Sequence, residues 1–199
     1  MGLLKTTDAD TKEKILSTAL HLISNNPNHR VSVSELKRET GLSTGSFYHF
    51  FPKGADDIAH DLYVLILGDL KNSILLGTDS ISVTHKFIHR CVDNFFNWHL
   101  NHPTESTFLN TQADIVQSER GALASQLKQQ FAIKLTEKLT TILTKEFPRK
   151  KFELRILIPA FFGSCQEYIK SWHMKGRPSS LIKDAKSKMA DFLYAGLIG

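Results

Sequence analysis

The chain has little that would place it in an oxidising compartment or in a membrane. Only two of its 199 residues are cysteines, Cys91 and Cys165, and no CxxC spacing occurs. This excludes a disulfide framework and a zinc finger. No stretch approaches the ~20 consecutive apolar residues that a membrane span requires, and no apolar signal-peptide core follows the N-terminus. We therefore expect a cytoplasmic protein without a membrane partner.

The chain also has little excess charge of one sign. The formal net charge is +5 at pH 7, yet residues 1–57 carry as many acids as bases, so the whole excess lies in the remainder. Bulk basicity therefore does not indicate which part of the chain would contact a nucleic acid. Local residue spacing is the more informative signal.

Motifs of the common enzyme classes are absent as well. The sequence contains no GxSxG, no phosphate-binding P-loop and no GxGxxG. Carboxylates are dispersed along helical segments, which does not specify a reaction. We expect neither an enzyme activity nor a cofactor.

What is present is helical periodicity along almost the whole chain, without strand alternation. The pattern predicts an all-α fold with a three-helix N-terminal head (residues 1–54) and a helical body (residues 55–199). Ser80 or Ser82 is expected to cap the helix that closes before Pro103. The helices are predicted at about 11–23, 32–41, 43–51, 56–77, 82–102, 104–116, 122–147, 152–175 and 178–197.

Short-range signals define two short helices in the head. Ser32 and Glu35 have the spacing of a capping box, in which each side chain accepts a hydrogen bond from the backbone of the other residue. Gly41 can adopt the tight turn that ends this helix. Ser43 is a candidate N-cap for the next helix. Two short helices joined in this way suggest a helix-turn-helix.

The second short helix has the character of a DNA-recognition helix. Leu36 and Phe47 are expected to pack against the apolar face of the first helix, which would leave small and hydrogen-bonding side chains outside. Such a helix fits the major groove with its first turn towards the base edges. The residues expected on the exposed side are Thr44, Gly45, Ser46, Tyr48 and His49.

The run GLSTGSFYHFF at residues 41–51, followed by PKG, resembles the recognition-helix signature of the tetracycline-repressor (TetR) family of transcriptional regulators. The resemblance covers roughly residues 11–65. It implies a homodimeric regulator, most simply a repressor, that binds a palindromic double-stranded DNA operator and is released by a small-molecule effector. The DNA-contacting residues that it implies are Ser34, Lys37, Ser43, Thr44, Gly45, Ser46, Tyr48, His49 and Lys53.

Two positions depart from the family pattern. Ala55 stands where many members have a lysine, and the recognition helix has no lysine or arginine, with Thr44 at a position that is often basic. Both departures lower the expected number of phosphate contacts. They leave open an alternative function, an all-α ligand-binding or interaction protein whose degenerate head no longer binds DNA.

The resemblance also assigns roles to the body. The last two helices would build a four-helix dimer interface, and the middle helices would enclose an effector pocket of aromatic and polar side chains. The expected dimer residues are Ile156, Phe162, Ile169, Met189, Phe192 and Leu193. The expected pocket residues are Phe95, Trp98, His99, Phe108, Phe131, Phe161, Cys165, Tyr168 and Trp172. Plain core packing is the competing interpretation for each aromatic side chain.

Two histidine pairs have spacings that a metal ion could use. His85 and His89 stand four residues apart, and His99 and His102 three apart. No cysteine pair or carboxylate lies beside them in sequence. Solvated or capping histidines are the simpler interpretation, and no metal site is predicted.

Overall fold

A computed structural model of the chain describes residues 8–25, 31–111, 121–152 and 154–199; for Asn25, Gly121 and residues 155–158 it describes the backbone alone. The described residues form helices and no strand, which confirms the all-α fold. The helices are α1 (Asp8–Asn25), α2 (Val33–Thr40), α3 (Thr44–Phe50), α4 (Ala55–Ile74), α5 (Thr84–Asn101), α6 (Pro103–Thr111), α7 (Gly121–Glu146), α8 (Leu154–Met174) and α9 (Ser179–Ile198).

The chain divides into two compact units. The first comprises Met1–Ile66 and Thr104–Ala124, and the second comprises Leu67–Pro103 and Ser125–Gly199. The boundary falls inside α4, whereas the functional division predicted from the sequence falls after residue 54. A compact unit and a functional domain are different quantities, so that division stays a prediction.

In the first unit, the local signals of the sequence act as expected. The Ser32 side chain accepts a hydrogen bond from the Glu35 backbone at 3.2 Å, and the Glu35 carboxylate accepts one from the Ser32 backbone at 2.9 Å. The capping box is therefore confirmed. Gly41 ends α2 in the left-handed region, with φ +70°, and its N–H donates to the Lys37 carbonyl at 2.9 Å. These contacts fix the start and the end of α2.

The core of this unit is made by the apolar face of α1 and by single anchors on α2 and α3. Leu36 and Phe47 are fully buried, as is Phe51 just after α3. On α1, the buried set is Ile15, Leu16, Ala19 and Ile23. The predicted packing of the two short helices is therefore confirmed in its main residues.

The start of α5 in the second unit differs from the prediction. The helix begins at Thr84, and Val83 in the N-cap position makes no side-chain cap. The Thr84 N–H instead donates to the Glu146 carboxylate at the end of α7, over 2.7 Å. The prediction that Ser80 or Ser82 caps this helix was wrong, because a carboxylate brought in by tertiary packing satisfies the orphan donor.

The other helix ends that the structure describes lie within about one turn of their predicted positions. The predicted end of α6, near Val116, lies outside the described residues. Pro159 lies inside α8, as predicted. Among the helices that the structure describes, none is both long and apolar enough to cross a bilayer.

Candidate nucleic-acid interface

The recognition helix α3 has one buried face and one exposed face. Phe47 is fully buried and holds the helix in the first unit. Thr44, Gly45 and His49 are exposed, and the Tyr48 side chain is 49% exposed. The helix therefore presents small, hydroxyl-bearing and aromatic polar groups to solvent over its two turns.

The first turn of α3 is organised by two serines. Ser43 is the N-cap, and its hydroxyl accepts a hydrogen bond from the Ser46 backbone N–H at 3.2 Å, which confirms the predicted cap. The two hydroxyl groups also lie 3.0 Å apart, within hydrogen-bond distance. Ser46 is half-buried. Of the two, Ser43 is therefore the more accessible hydroxyl, and Ser46 acts mainly as part of the cap.

The turn between α2 and α3 is held by Thr40, a residue that the sequence analysis did not single out. Thr40 is buried; its hydroxyl donates to the Leu36 carbonyl at 2.7 Å and accepts from the Leu42 N–H at 3.3 Å. Its carbonyl accepts a hydrogen bond from the Lys14 ammonium on α1 at 2.9 Å. These bonds fix the angle at which α3 leaves the turn.

The segment after α3 places Lys53. Gly54 is buried with φ +66°, and a Cβ there would lie 3.3 Å from the Val33 side chain and 3.7 Å from the Tyr48 ring. The Lys53 N–H donates to the Asp57 carboxylate at 2.7 Å, which ties this segment to the first turn of α4. The Lys53 side chain is exposed. The fixed backbone thus places an exposed lysine side chain next to the recognition helix.

Two further predicted contact residues lie on α2, with Ser34 exposed and Lys37 half-buried. Lys12 of α1 is already engaged, in an ion pair with Asp61 at 2.7 Å. Because α3 has no cation, Lys37 and Lys53 are the predicted contact residues that carry positive charge. All nine predicted DNA-contacting residues lie in the first unit.

The predicted effector-pocket residues on α5 are buried, and their polar atoms have protein partners. The Trp98 indole N–H donates to the Asp69 carboxylate at 2.6 Å. The His99 ring packs edge-on to the rings of Phe95 and Trp98, at 4.6 Å and 5.1 Å between centroids. Burial, and then the neighbouring His173, lowers the pKa of His99 to about 3. At neutral pH, His99 is a neutral core side chain.

The candidates on α8 are similarly engaged. The Tyr168 hydroxyl donates to the Leu181 carbonyl at 2.7 Å, and the Trp172 indole N–H donates to the Pro178 carbonyl at 3.1 Å. Cys165 is fully buried, and that burial raises the pKa of its thiol to about 12. Phe108 belongs to the first unit. These groups hold the fold, and the thiol is kept in its unreactive form.

A cavity of about 20 Å³ lies in the second unit, with room for about one water molecule. Of the nine predicted pocket residues, Phe161 lines it. Most of the other lining residues lie on α5 and α7, where they follow one another at spacings of three or four residues. That helical spacing is the sequence signal that could have identified them. The lining residues are Phe87, Ile88, Cys91, Leu135, Leu139, Phe161 and Leu193.

Lys71 is a candidate ligand-binding residue that the sequence analysis missed. Its ammonium lies 4.3 Å from the centre of the Phe131 ring and 5.9 Å from that of Phe162. Burial, and then the positive charge of Lys128, lowers the pKa of Lys71 to about 8. In the described part of the chain, no carboxylate forms an ion pair with it. Two aromatic rings thus lie beside a cation that a nearby anion would stabilise.

The predicted dimer residues divide by burial. Ile169 and Leu193 are buried in the chain's own core, Phe162 and Met189 are half-buried, and the Phe192 side chain is 68% exposed. The side chain of Ile156 lies outside the part of the chain that the structure describes. Ile169 and Leu193 therefore face inwards in this fold, because α8 and α9 first use their most apolar faces to complete the core.

The two histidine pairs have different surroundings. The His102 ring stacks on Trp98, with centroids 5.1 Å apart, and His99 is buried. His85 and His89 lie near the surface, and the carboxylate of Asp191 on α9 lies against both of them. A carboxylate about one hundred residues away could not be identified from the sequence around the pair.

Comparisons with known proteins agree with this geometry. Residues 15–56 match the family model for bacterial regulatory proteins of the tetR family. A segment of 96 residues is 28% identical to an uncharacterised HTH-type transcriptional regulator of Bacillus subtilis strain 168, YxaF, and covers 46% of this chain and 50% of that protein. The match thus spans about half the length of the curated relative.

Two solved structures share the overall fold. The transcriptional regulator FadR from Bacillus subtilis, in complex with stearoyl-CoA, superposes with a TM-score of 0.78 at 16% identity, covering 93% of this chain and 98% of that one. The fatty acid degradation regulator FadR from Bacillus halodurans gives 0.75 at 18% identity, with the same coverage. Residues 15–56, which contain the helix-turn-helix, are thus similar to the bacterial regulatory proteins of the tetR family.

Proposed function

We propose that the chain is a homodimeric, ligand-responsive transcriptional regulator, acting as a repressor, that inserts α3 into the major groove of a palindromic operator. The observation that carries the proposal is the exposed polar face of α3, which Phe47 anchors from the opposite side. Thr44 and Gly45 lie in the first turn, where they can approach base edges. Tyr48, His49 and Lys53 lie where they can reach phosphates.

Dimerisation supports this proposal because one small head buries too little surface for tight and specific binding. We place the dimer contact on the outer faces of α8 and α9. The exposed Phe192 ring supplies an apolar anchor, and the small residues Gly163 and Gly196 would allow close helix approach. A Phe192→Glu variant should shift the sedimentation equilibrium towards monomer, whereas Lys145→Glu, at an exposed position of α7, should leave it unchanged. A Phe192→Glu variant that remains dimeric would place the contact elsewhere.

For the effector, we propose a molecule that combines an anionic group with an apolar chain. The half-buried Lys71 side chain, with its ammonium beside Phe131 and Phe162, is suited to the anion. The all-α neighbour from Bacillus subtilis was solved with stearoyl-CoA, which makes long-chain acyl thioesters of coenzyme A the first class to test. The cavity of about 20 Å³ is not lined by Lys71 and is far smaller than the ~300 Å³ of typical ligand sites, so a pocket beside Lys71 would have to open on binding.

DNA binding is tested by fluorescence anisotropy on the duplex that flanks the gene for this chain, at two salt concentrations. The proposal expects saturable binding with competition by unlabelled specific duplex, and at least about tenfold weaker binding for a Tyr48→Phe/His49→Ala double variant. A matched Tyr194→Phe/His21→Ala variant, with both changes outside the recognition helix, should bind as the original chain does.

The alternative function, an all-α ligand-binding or interaction protein with a degenerate head, gives a different result. Its head would bind duplexes weakly and without sequence preference, and the double variant would be indistinguishable from the original chain. This alternative is tested because α3 has no lysine or arginine.

Release by an effector is tested by adding stearoyl-CoA to the complex with DNA. Coenzyme A alone is the control for a non-specific effect.

A further inference from the structure

Two histidines of α5 and one aspartate of α9 converge on a single point at the surface of the second unit. The Nε2 atoms of His85 and His89 lie 3.3 Å and 2.8 Å from the same carboxylate oxygen, Oδ1 of Asp191. The two imidazole rings are tilted against each other, with centroids 4.2 Å apart. One ligand atom from each residue can be chosen so that all of them lie within 4.8 Å of one another.

These separations suit a first-row transition-metal ion. Bonds of 2.0–2.1 Å in a tetrahedral site place neighbouring ligand atoms about 3.3 Å apart. The His85 contact already has this length, and the shorter His89 contact would open by about 0.5 Å. The side chains of His85, His89 and Asp191 are 46%, 24% and 56% exposed, so small adjustments meet no packed core and an ion has direct access from solvent.

The surroundings restrict the three side chains. The Ser187 hydroxyl lies 3.4 Å from Oδ2 of Asp191, one turn earlier on α9. The Tyr194 ring packs edge-on to His85 at 4.9 Å between centroids.

We propose that His85, His89 and Asp191 form a binding site for a divalent transition-metal ion, with Zn²⁺ as the reference ion, that links α5 to α9. Two neutral imidazoles and one carboxylate are a ligand set that Zn²⁺ accepts, and a fourth position is left for water or another ligand. The inference rests on this cluster and not on the proposed DNA-binding function. Its test can therefore fail while the proposed function stands.

An ordinary surface ion pair is the competing explanation. An ion pair needs one imidazole for one carboxylate, whereas here both rings are directed at the same oxygen atom. Hydrogen bonds from two neutral rings to Oδ1 would give the same distances without an ion, and titration with ZnCl₂ distinguishes the two explanations.

The experiment is calorimetric titration of the metal-free, full-length protein with ZnCl₂, after removal of any histidine tag. One Zn²⁺ per chain is expected. His89→Ala and Asp191→Asn should each weaken binding by at least about tenfold, because loss of a ligand exceeds the effect of losing a supporting group. His85→Phe keeps an aromatic ring against Tyr194 and should weaken binding as well. Circular dichroism spectra establish that each variant is folded.

Controls remove similar groups elsewhere. His21→Ala deletes an exposed histidine of α1, and Asp184→Asn changes an exposed aspartate of α9; both should bind Zn²⁺ as the original chain does. The visible spectrum of the Co²⁺-loaded protein should change with His89→Ala and not with His21→Ala. Binding that the three cluster variants leave unaltered, or no binding at all, would overturn the proposal.

Discussion

The backbone N–H of Thr84 and the carboxylate of Glu146 are joined by a 2.7 Å hydrogen bond between residues 62 positions apart. Thr84 opens α5 and is buried, and Glu146 closes α7. One contact thereby caps the N-terminus of one helix with the C-terminal residue of another. The usual local cap is replaced by a long-range one.

Replacing Glu146 with alanine should lower the free energy of unfolding by about 1 kcal/mol, because the Thr84 N–H would lose its charged acceptor in a partly buried position. Urea unfolding followed by circular dichroism measures this change. Glu137→Ala, on an exposed position of the same helix, is the control and should have little effect. Equal stability of both variants would mean that water caps α5 just as well.

Thr44 and Lys53 should affect DNA binding in different ways. Thr44→Ala should alter the preference among operator sequences by about 1 kcal/mol, because Thr44 lies in the first turn of α3 near the base edges. Lys53→Ala should weaken binding to all duplexes alike and reduce the salt slope by about one unit, as expected for a lost phosphate contact. Competition titrations with base-substituted duplexes measure both quantities. A uniform loss for Thr44→Ala would contradict the proposed docking.

The two glycines that flank α3 should differ in sensitivity. Both have positive φ, so an alanine at either position is strained by about 1 kcal/mol. At Gly41 a Cβ would have no neighbour within 4 Å, whereas at Gly54 it would press on Val33 at 3.3 Å. We expect Gly54→Ala to destabilise the protein by about 2 kcal/mol, roughly twice the effect of Gly41→Ala. Thermal unfolding of both variants gives the ratio.

His99 should make stability depend on pH below neutrality. Its folded-state pKa of about 3 lies below the ordinary 6.5, so in the interval between them the unfolded chain binds a proton that the folded chain does not. Stability therefore falls as the pH drops through 6.5, by up to about 1.4 kcal/mol per pH unit, and is unaffected by this group above it.

Urea unfolding at pH 7, 6 and 5 tests this dependence on the original chain and on His99→Gln, which cannot titrate. The difference in stability between the two should shrink or change sign as the pH falls. His21→Gln, at an exposed position, should keep the pH dependence of the original chain. If His99→Gln keeps it too, the buried histidine is not its source.

Lys71 should be important for an anionic effector in particular. Lys71→Met keeps the length and apolar contacts with Phe131 but removes the charge, so affinity for stearoyl-CoA should fall by on the order of tenfold. Binding of an uncharged stearoyl ester should be unchanged or stronger. Lys145→Met removes an exposed cation from the same unit and serves as control. Equal losses for charged and uncharged ligands would assign Lys71 a structural role.

Much of the first unit could be predicted because its determinants are local. The Ser32–Glu35 capping box, the Ser43 cap and the Gly41 turn all act within four residues of the backbone groups that they satisfy. The anchoring role of Thr40 was missed, since its bond to Lys14 joins residues 26 positions apart.

The second unit was harder to predict, since an apolar stripe does not indicate what it packs against. Ile169 and Leu193 are predicted dimer residues that lie buried within the chain, and their part in a dimer stays a prediction. Trp98 and Trp172 are predicted pocket residues whose indole N–H groups donate to acceptors within the chain, and their contact with an effector stays a prediction. Periodicity identifies the buried face of a helix and leaves the partner of that face open.

The amino-acid sequence by itself determined the helices, the caps of the head and the exposed character of the recognition helix. Hydrogen bonds one turn apart and side-chain periodicity are properties of neighbouring residues. Tertiary structure alone brought Glu146 to the start of α5 and Asp191 to His85 and His89. Those contacts join segments that lie far apart in the chain, and they form only when α5 packs against α7 and α9. The fold thereby decided which polar groups meet.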